Sequence, residues 1–205
     1  MGINTLNQDL DYYGLSLTLG GGEVWLLDMV YAYSVFANGG TMMGQPTKLA
    51  RTGYRQLDPV SILRVEDAKG EVREEYKQPE VRSVVLADGR ELSPQEAYLL
   101  THVLSDNNAR AAVFGSNSAL RLSRPAAAKT GTTTDYKDVW TVGYTPQIVT
   151  GVWVGNNDNT PMEGVSSSRG AAPIWHNVME RIYNCLLYTS PCPRDRNRSR
   201  MPSSA

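Results

Sequence analysis

Between Ala126 and Gly155 the chain runs through three strand-like segments, AAAKTGTTT, VWTVGYT and IVTGVWVG, separated only by DYKD and by Pro146-Gln147. Links that short join antiparallel neighbours, because a parallel return needs a dozen or more residues. In the second segment Trp140, Val142 and Tyr144 fall on one face and Val139 on the other; in the third, Ile148, Val152 and Val154 oppose Val149 and Trp153. A sheet that is apolar on both faces must be covered on both. Two segments can provide the cover. Residues 23–38, EVWLLDMVYAYSVFAN, set Leu26, Met29, Val30, Tyr33, Phe36 and Ala37 at helical spacing and stop at Gly39-Gly40, which predicts a buried helix closed by glycine. Residues Ala172 to Tyr183 align Ile174, Val178, Met179 and Ile182 on one stripe, which predicts a second covering helix. The expected class is α/β, an antiparallel sheet sandwiched between helices.

Other segments punctuate this frame. Ser93-Pro94-Gln95-Glu96 supplies a capping serine, a proline at the first helical position and a glutamate three residues after the cap, followed by Leu99, Leu100, Val103 and Leu104, so a helix begins there. SILRVE and VREEY meet across Ala68-Lys69-Gly70 as a hairpin, and a second hairpin is expected to turn at Asp88-Gly89 between VVLA and REL. Both are read as decoration of the core, an insertion over about residues 59–92.

At 205 residues and 41% hydrophobic content the chain supports one well-packed core. Net charge is −1, and Arg194, Arg196, Arg198 and Arg200 crowd the end of the chain against Asp195 alone. The body is therefore mildly acidic, which argues against a nucleic-acid partner, since such a partner calls for clustered Lys and Arg. No run approaches the eighteen or so apolar residues that span a bilayer, and the first residues carry no basic-then-apolar leader pattern. Both cysteines, Cys185 and Cys192, lie in the terminal stretch CLLYTSPCPRDRNRSRMPSSA. There the apolar periodicity stops, and residues 185–205 are read as a foreign or disordered tail, its opening resembling translated adaptor sequence. The domain is accordingly expected over 1–184.

Several apparent motifs have plainer readings. Gly20-Gly21-Gly22 lacks the lysine-serine pair of a phosphate cradle and reads as a loop into the next helix. His102 and His176 stand apart, each on an expected helix without ligand-spaced partners, so no metal and no cofactor is predicted. Ser105-Asp106-Asn107 reads as a polar helix terminus rather than a catalytic motif, and Ser166-Ser167-Ser168 as a connection near the rim of a site.

Lys129-Thr130-Gly131 is different, because it falls inside a strand. A lysine in an alanine-rich, sheet-forming stretch costs desolvation unless an anion or partner meets it, and a glycine there leaves room for another molecule to approach the strand. That strand edge is expected to be a docking surface. At this point the chain resembles the transpeptidase domain of class A penicillin-binding proteins over nearly all of residues 3–183, through AYSVFANGG (Ala32–Gly40), HVLSDNNAR (His102–Arg110), KTGTTTDYKDVWTVGYTP (Lys129–Pro146), VTGVWVGNND (Val149–Asp158) and GAAPIW (Gly170–Trp175). The family's signature is Ser-x-x-Lys, Ser-x-Asn and Lys-Thr-Gly.

The resemblance implies a penicillin-recognising fold. It also implies an acyl transfer in which a serine attacks the D-Ala-D-Ala bond of a peptidoglycan stem peptide, or a β-lactam that imitates it. On that basis Lys129 brings positive charge near the substrate carboxylate, Thr130 and Thr132 hydrogen-bond it, Gly131 keeps the edge open, and the Thr132 backbone N–H forms half of an oxyanion hole. No serine of this chain has lysine three residues later. The family places that pair and the Ser-x-Asn motif upstream of the ANGG segment, so the nucleophile is expected before residue 1 and this segment alone is expected to be inactive. A D,D-carboxypeptidase, a β-lactamase or a non-catalytic scaffold of the same fold are the alternatives. The resemblance further implies a parent protein with a glycosyltransferase domain and a membrane anchor, working outside the cytoplasmic membrane.

Overall fold

The computed structural model describes residues 1–48, 54–76 and 79–186. A short helix, α1 (Leu10–Tyr13), and a 3-10 turn lead into α2 (Leu26–Ala37), after which Gly39 and Gly40 take positive φ and end the helix. There follow β1 (Thr41–Pro46), β2 (Leu57–Asp58), β3 (Arg64–Glu66), β4 (Val72–Glu75) and β5 (Glu80–Ser83), then the helices α3 (Pro94–Ser105) and α4 (Asn107–Phe114). The described residues close with the sheet strands β6 (Ala127–Thr132), β7 (Asp138–Tyr144) and β8 (Val149–Gly155), followed by α5 (Ala171–Leu186).

The three strands pair antiparallel in the order β6-β7-β8, from Ala127 opposite Tyr144 to Thr132 opposite Val139, and from Asp138 opposite Gly155 to Tyr144 opposite Val149. Cover arrives on both faces, as apolar alternation demands. On one side α5 packs with Ala172, Trp175, Met179 and Tyr183 against Ala126, Ala128, Ile148 and Val152. Trp175 is so close that a Cβ on Gly143 would lie 2.3 Å from its ring. On the other side lie Leu26 and Val30 of α2, filling the space above Gly151, with Tyr33 edge-on to Tyr144. The result is the helix-sheet-helix sandwich expected from the sequence.

The faces of the helices differ in detail from their patterns. α2 buries Asp28, Tyr31, Ala32 and Val35 most deeply, because it lies between two layers: its far side packs Tyr31 and Val35 with Met42, Leu57 and Val84. Asp28, 0% exposed, is paired with Arg55, whose guanidinium also sits over the Tyr31 ring. In α5 the buried stripe is Ala172, Trp175, Met179 and Tyr183, whereas Ile174 and Val178 stay exposed. The correct stripe runs through the aromatic residues, whose larger area outweighs that of the aliphatic ones. α3 begins with the full capping box expected of Ser93 and Glu96, yet Tyr98, Leu99 and Val103 face outward and only Ala97 is buried.

The first hairpin forms as β3 and β4 with Gly70 at positive φ. The second turns at Asp88-Gly89 as expected, with Leu86 N–H donating to Arg90 O and Leu92 N–H to Val84 O, each at 2.8 Å, on either side of a bridge between Val85 and Glu91, while the strand just before it, β5, pairs with β1. Val84 is part of a buried cluster, so this region supplies core as well as decoration. Of the terminal stretch, α5 includes Cys185 and Leu186; Cys192 and the four arginines lie outside the described residues.

Candidate functional site

Lys129, Thr130, Gly131 and Thr132 occupy consecutive positions on β6, and among the described residues no strand pairs with the other side of β6. The direction of its backbone groups follows from the turn that ends it. Thr133 N–H donates to Asp138 O at 2.9 Å, and Asp138 N–H donates to the Thr133 hydroxyl at 2.8 Å. The first of these is a backbone ladder bond, with the Thr133 hydroxyl standing in for its carbonyl in the second, so Thr133 and Asp138 sit at a bonded position; the next pair, Thr132 with Val139, is a non-bonded one, and the two kinds alternate up the ladder. The N–H and C=O of Thr132 and Thr130 therefore point away from β7, to the open edge. The side chain of Lys129 agrees with this, its ammonium donating to Thr130 O at 2.5 Å.

The glycines of the sheet fall into two groups. A Cβ on Gly143 or Gly151 would strike Trp175 or Val30, whereas one on Gly131 would meet only Trp140 Cβ at 3.6 Å, an ordinary contact. Gly131 also has no positive φ. Among the described residues nothing requires a glycine at 131, so the open space there is available to something approaching from outside.

Beyond β6 the chain makes a strained turn, with Asp135 at φ 62° and Tyr136 at φ 56°, both in the left-handed region that non-glycine residues rarely adopt. Asp138 ties the turn down: its carboxylate accepts from Trp153 Nε1 at 2.8 Å, and Tyr136 O accepts from Met162 N–H at 3.1 Å. Thr132 carries a further contact that sequence reading missed, since its hydroxyl accepts from the backbone N–H of Ser167 at 3.2 Å. The only sequence signal was a run of serines just before GAAPIW.

Ser105-Asp106-Asn107 lies elsewhere, at the junction of α3 and α4, where it lines an open polar cavity of about 570 Å³ with His102, Asn108 and Arg121. Asp106 caps α4, its carboxylate accepting from the N–H groups of Asn108 (2.9 Å) and Ala109 (3.0 Å). Those bonds hold its carboxyl below the usual range. A carboxylate so engaged is a structural cap. His176 Nδ1 donates a hydrogen bond to Ala119 O at 3.0 Å, tying α5 to the segment after α4.

Curated relatives share this segment. Penicillin-binding protein 1A of Aquifex aeolicus is 38% identical over 172 residues, 83% of this chain and 20% of that protein. Penicillin-binding protein 2D of Bacillus subtilis is 33% identical over 166 residues, 80% of this chain and 21% of that one. The chain belongs to the class A penicillin-binding proteins. A crystal structure of penicillin-binding protein 1A from Haemophilus influenzae superposes with a TM-score of 0.63 at 22% identity, covering 89% of this chain and 29% of that one, and so shares its fold. No family model matches the chain. It spans about a fifth of the length of the curated penicillin-binding proteins it matches.

Proposed function

We propose that this chain is the C-terminal part, over residues 1–184 and on through the end of α5, of a peptidoglycan D,D-transpeptidase domain, and that β6 is its substrate-binding strand. The observation that carries the reading is the open edge of β6, where the outward N–H of Thr132 lies on the same strand as Lys129 and follows a glycine that nothing among the described residues requires. An extended peptide adds to such an edge through main-chain hydrogen bonds. Lys129 supplies charge for the terminal carboxylate, and the hydroxyls of Thr130 and Thr132 bind it. The nucleophilic serine comes from polypeptide outside this segment. Its oxygen attacks the carbonyl carbon between the two D-alanines while the Thr132 N–H stabilises the oxyanion. The C–N bond then breaks and the terminal D-alanine leaves with a proton. An amine of a second stem peptide attacks the resulting ester, re-forming an amide and freeing the serine. A β-lactam enters the same first step.

The relatives' names, which record penicillin binding, support the reading, and a role in cell-wall synthesis outside the cytoplasmic membrane belongs to the same proposal. Among the described residues no helix is long and apolar enough to cross a membrane. Fluorescent penicillin tests the reading. The 205-residue chain is expected to take no covalent label, whereas the reading frame extended upstream through a Ser-x-x-Lys motif labels, and Lys129→Ala in that longer protein slows acylation about 100-fold. A stable adduct on this chain alone, or unchanged labelling of the Lys129→Ala protein, would contradict it.

A further inference from the structure

Ser167 is 6% exposed, and its N–H reaches the Thr132 hydroxyl across 35 residues of sequence. The loop that carries it is held at both ends. Ser166 O accepts from Arg169 N–H at 3.0 Å and Gly170 N–H at 2.9 Å, while Ser167 O accepts from Ala172 N–H at 2.8 Å in the first turn of α5. Gly170 allows this close approach to the sheet, since a Cβ there would lie 2.8 Å from Val165 and 3.1 Å from Val139. The donor is thus fixed by α5 on one side and by the sheet on the other.

A threonine hydroxyl has one proton and two lone pairs. In Thr132 one lone pair is taken by Ser167, and among the described residues the hydroxyl makes no other hydrogen bond. Its proton is left to be donated, and Thr132 is exposed. A freely turning hydroxyl accepts as readily as it donates; one that already accepts from a fixed N–H is biased toward donation. A carboxylate, which only accepts, matches such a group at either oxygen, whereas a carboxamide offers N–H at one of its two positions.

Resting on the reading of β6 as the carboxylate-binding strand, we propose that Ser167 is a positioning residue. Its backbone N–H makes the Thr132 hydroxyl a fixed donor, and the loop from Val165 to Gly170 thereby sets a preference for a free C-terminal carboxylate over a carboxamide. The loop that opens α5 is in this sense part of the site.

The test is an NMR titration of the full 205-residue chain with N-acetyl-D-alanyl-D-alanine and, separately, with its C-terminal amide, scored as the ratio of the two affinities. Thr132→Val is expected to lower the acid-over-amide ratio about tenfold, the worth of one hydrogen bond to a charged group. Ser167→Pro, which removes the N–H but leaves Thr132 in place, is expected to lower it as far, and the double variant no further. Ser167→Ala keeps the N–H and retains the preference. Should proline disturb the loop, a backbone ester at position 167 removes the N–H without adding a ring. A ratio that survives loss of the Ser167 N–H while Thr132→Val lowers it would overturn the positioning role alone. Equal loss of both ligands, with the ratio intact, would reduce the loop to a structural part and overturn it too. An unaltered chain that prefers neither ligand, with Lys129→Ala without effect, would bring down the reading of β6 as well.

Discussion

Two regions of this molecule are built from strands, and they are held in opposite ways. In β7 five of the seven residues, Val139, Val142, Gly143, Tyr144 and Thr141, are buried between α2 and α5. In β3, β4 and β5 every residue is exposed. The first region is held by apolar area removed from water on both faces. The second relies on turns at Gly70 and Gly89, on pairing with β1, and on ion pairs such as Arg64–Glu66, Arg73–Asp67 and Arg82–Glu80 at its surface. Exposed pairs of that kind contribute about 0–1 kcal/mol each. Backbone pairing alone therefore tells little about stability; what covers the strand decides it. The proposed site belongs to the covered region, where a rigid scaffold fixes the direction of an N–H or a hydroxyl.

The sharpest way to break this comparison is to remove the cover. Trp175 is 0% exposed and fills the space over Gly143, so Trp175→Ala is expected to cost about 3–5 kcal/mol in chemical denaturation. A loss below about 1 kcal/mol would mean that the sheet does not depend on α5. A smaller effect sharpens the contrast at the entry to α3, which follows the exposed region directly. Ser93→Ala removes one half of the capping box and is expected to cost about 1 kcal/mol. The other half makes a pH test. Ser93, first through its backbone N–H and then its hydroxyl, and Arg90 with them, hold the Glu96 carboxyl down to about 2 from an ordinary 4.5. A carboxyl depressed in the folded state stabilises fully above its unfolded pKa and loses that contribution as pH falls toward the folded value. The stability difference between the unaltered chain and Glu96→Gln is thus expected to be constant above about pH 5 and to shrink between about 4.5 and 2, followed by thermal melts. A difference that grows on acidification would reverse the sign of the argument.

The sheet was legible because its evidence is redundant: alternation, short links and apolar residues on both faces all required the same sandwich. The capping box at Ser93 was legible for a similar reason, being a local motif with a local cause. Helix faces were harder. The stripe through Ile174 and Val178 and the one through Trp175 and Tyr183 share the same periodicity, and only contact with the sheet chooses between them. The pairing of β5 with β1 skips over the β3–β4 hairpin, a non-local choice that nearest-neighbour turn chemistry at Asp88-Gly89 does not encode. The Asp28–Arg55 pair was hidden by the rule that charges face water, since the partners that make burial tolerable, Asn4 N–H for Asp28 and Asp58 and Gly2 O for Arg55 besides each other, meet only in the fold.

At the candidate site the division is similar. Lys129, Thr130, Gly131 and Thr132 are contiguous, so one tripeptide and its neighbour place all four at once. Ser167 is joined to them only by the fold, through a backbone N–H that any residue but proline would supply. Such a contact leaves almost no mark on the sequence.

The central claim, that the open edge of β6 receives the terminal D-alanyl-D-alanine, is tested most directly by mapping where that dipeptide perturbs the backbone amides of the isotope-labelled chain. Shifts confined to Ala127–Thr133 and to the loop from Ser166 to Ala171 are the expected result. Shifts centred instead on the polar cavity around His102, Asp106 and Arg121, with β6 silent, would contradict it.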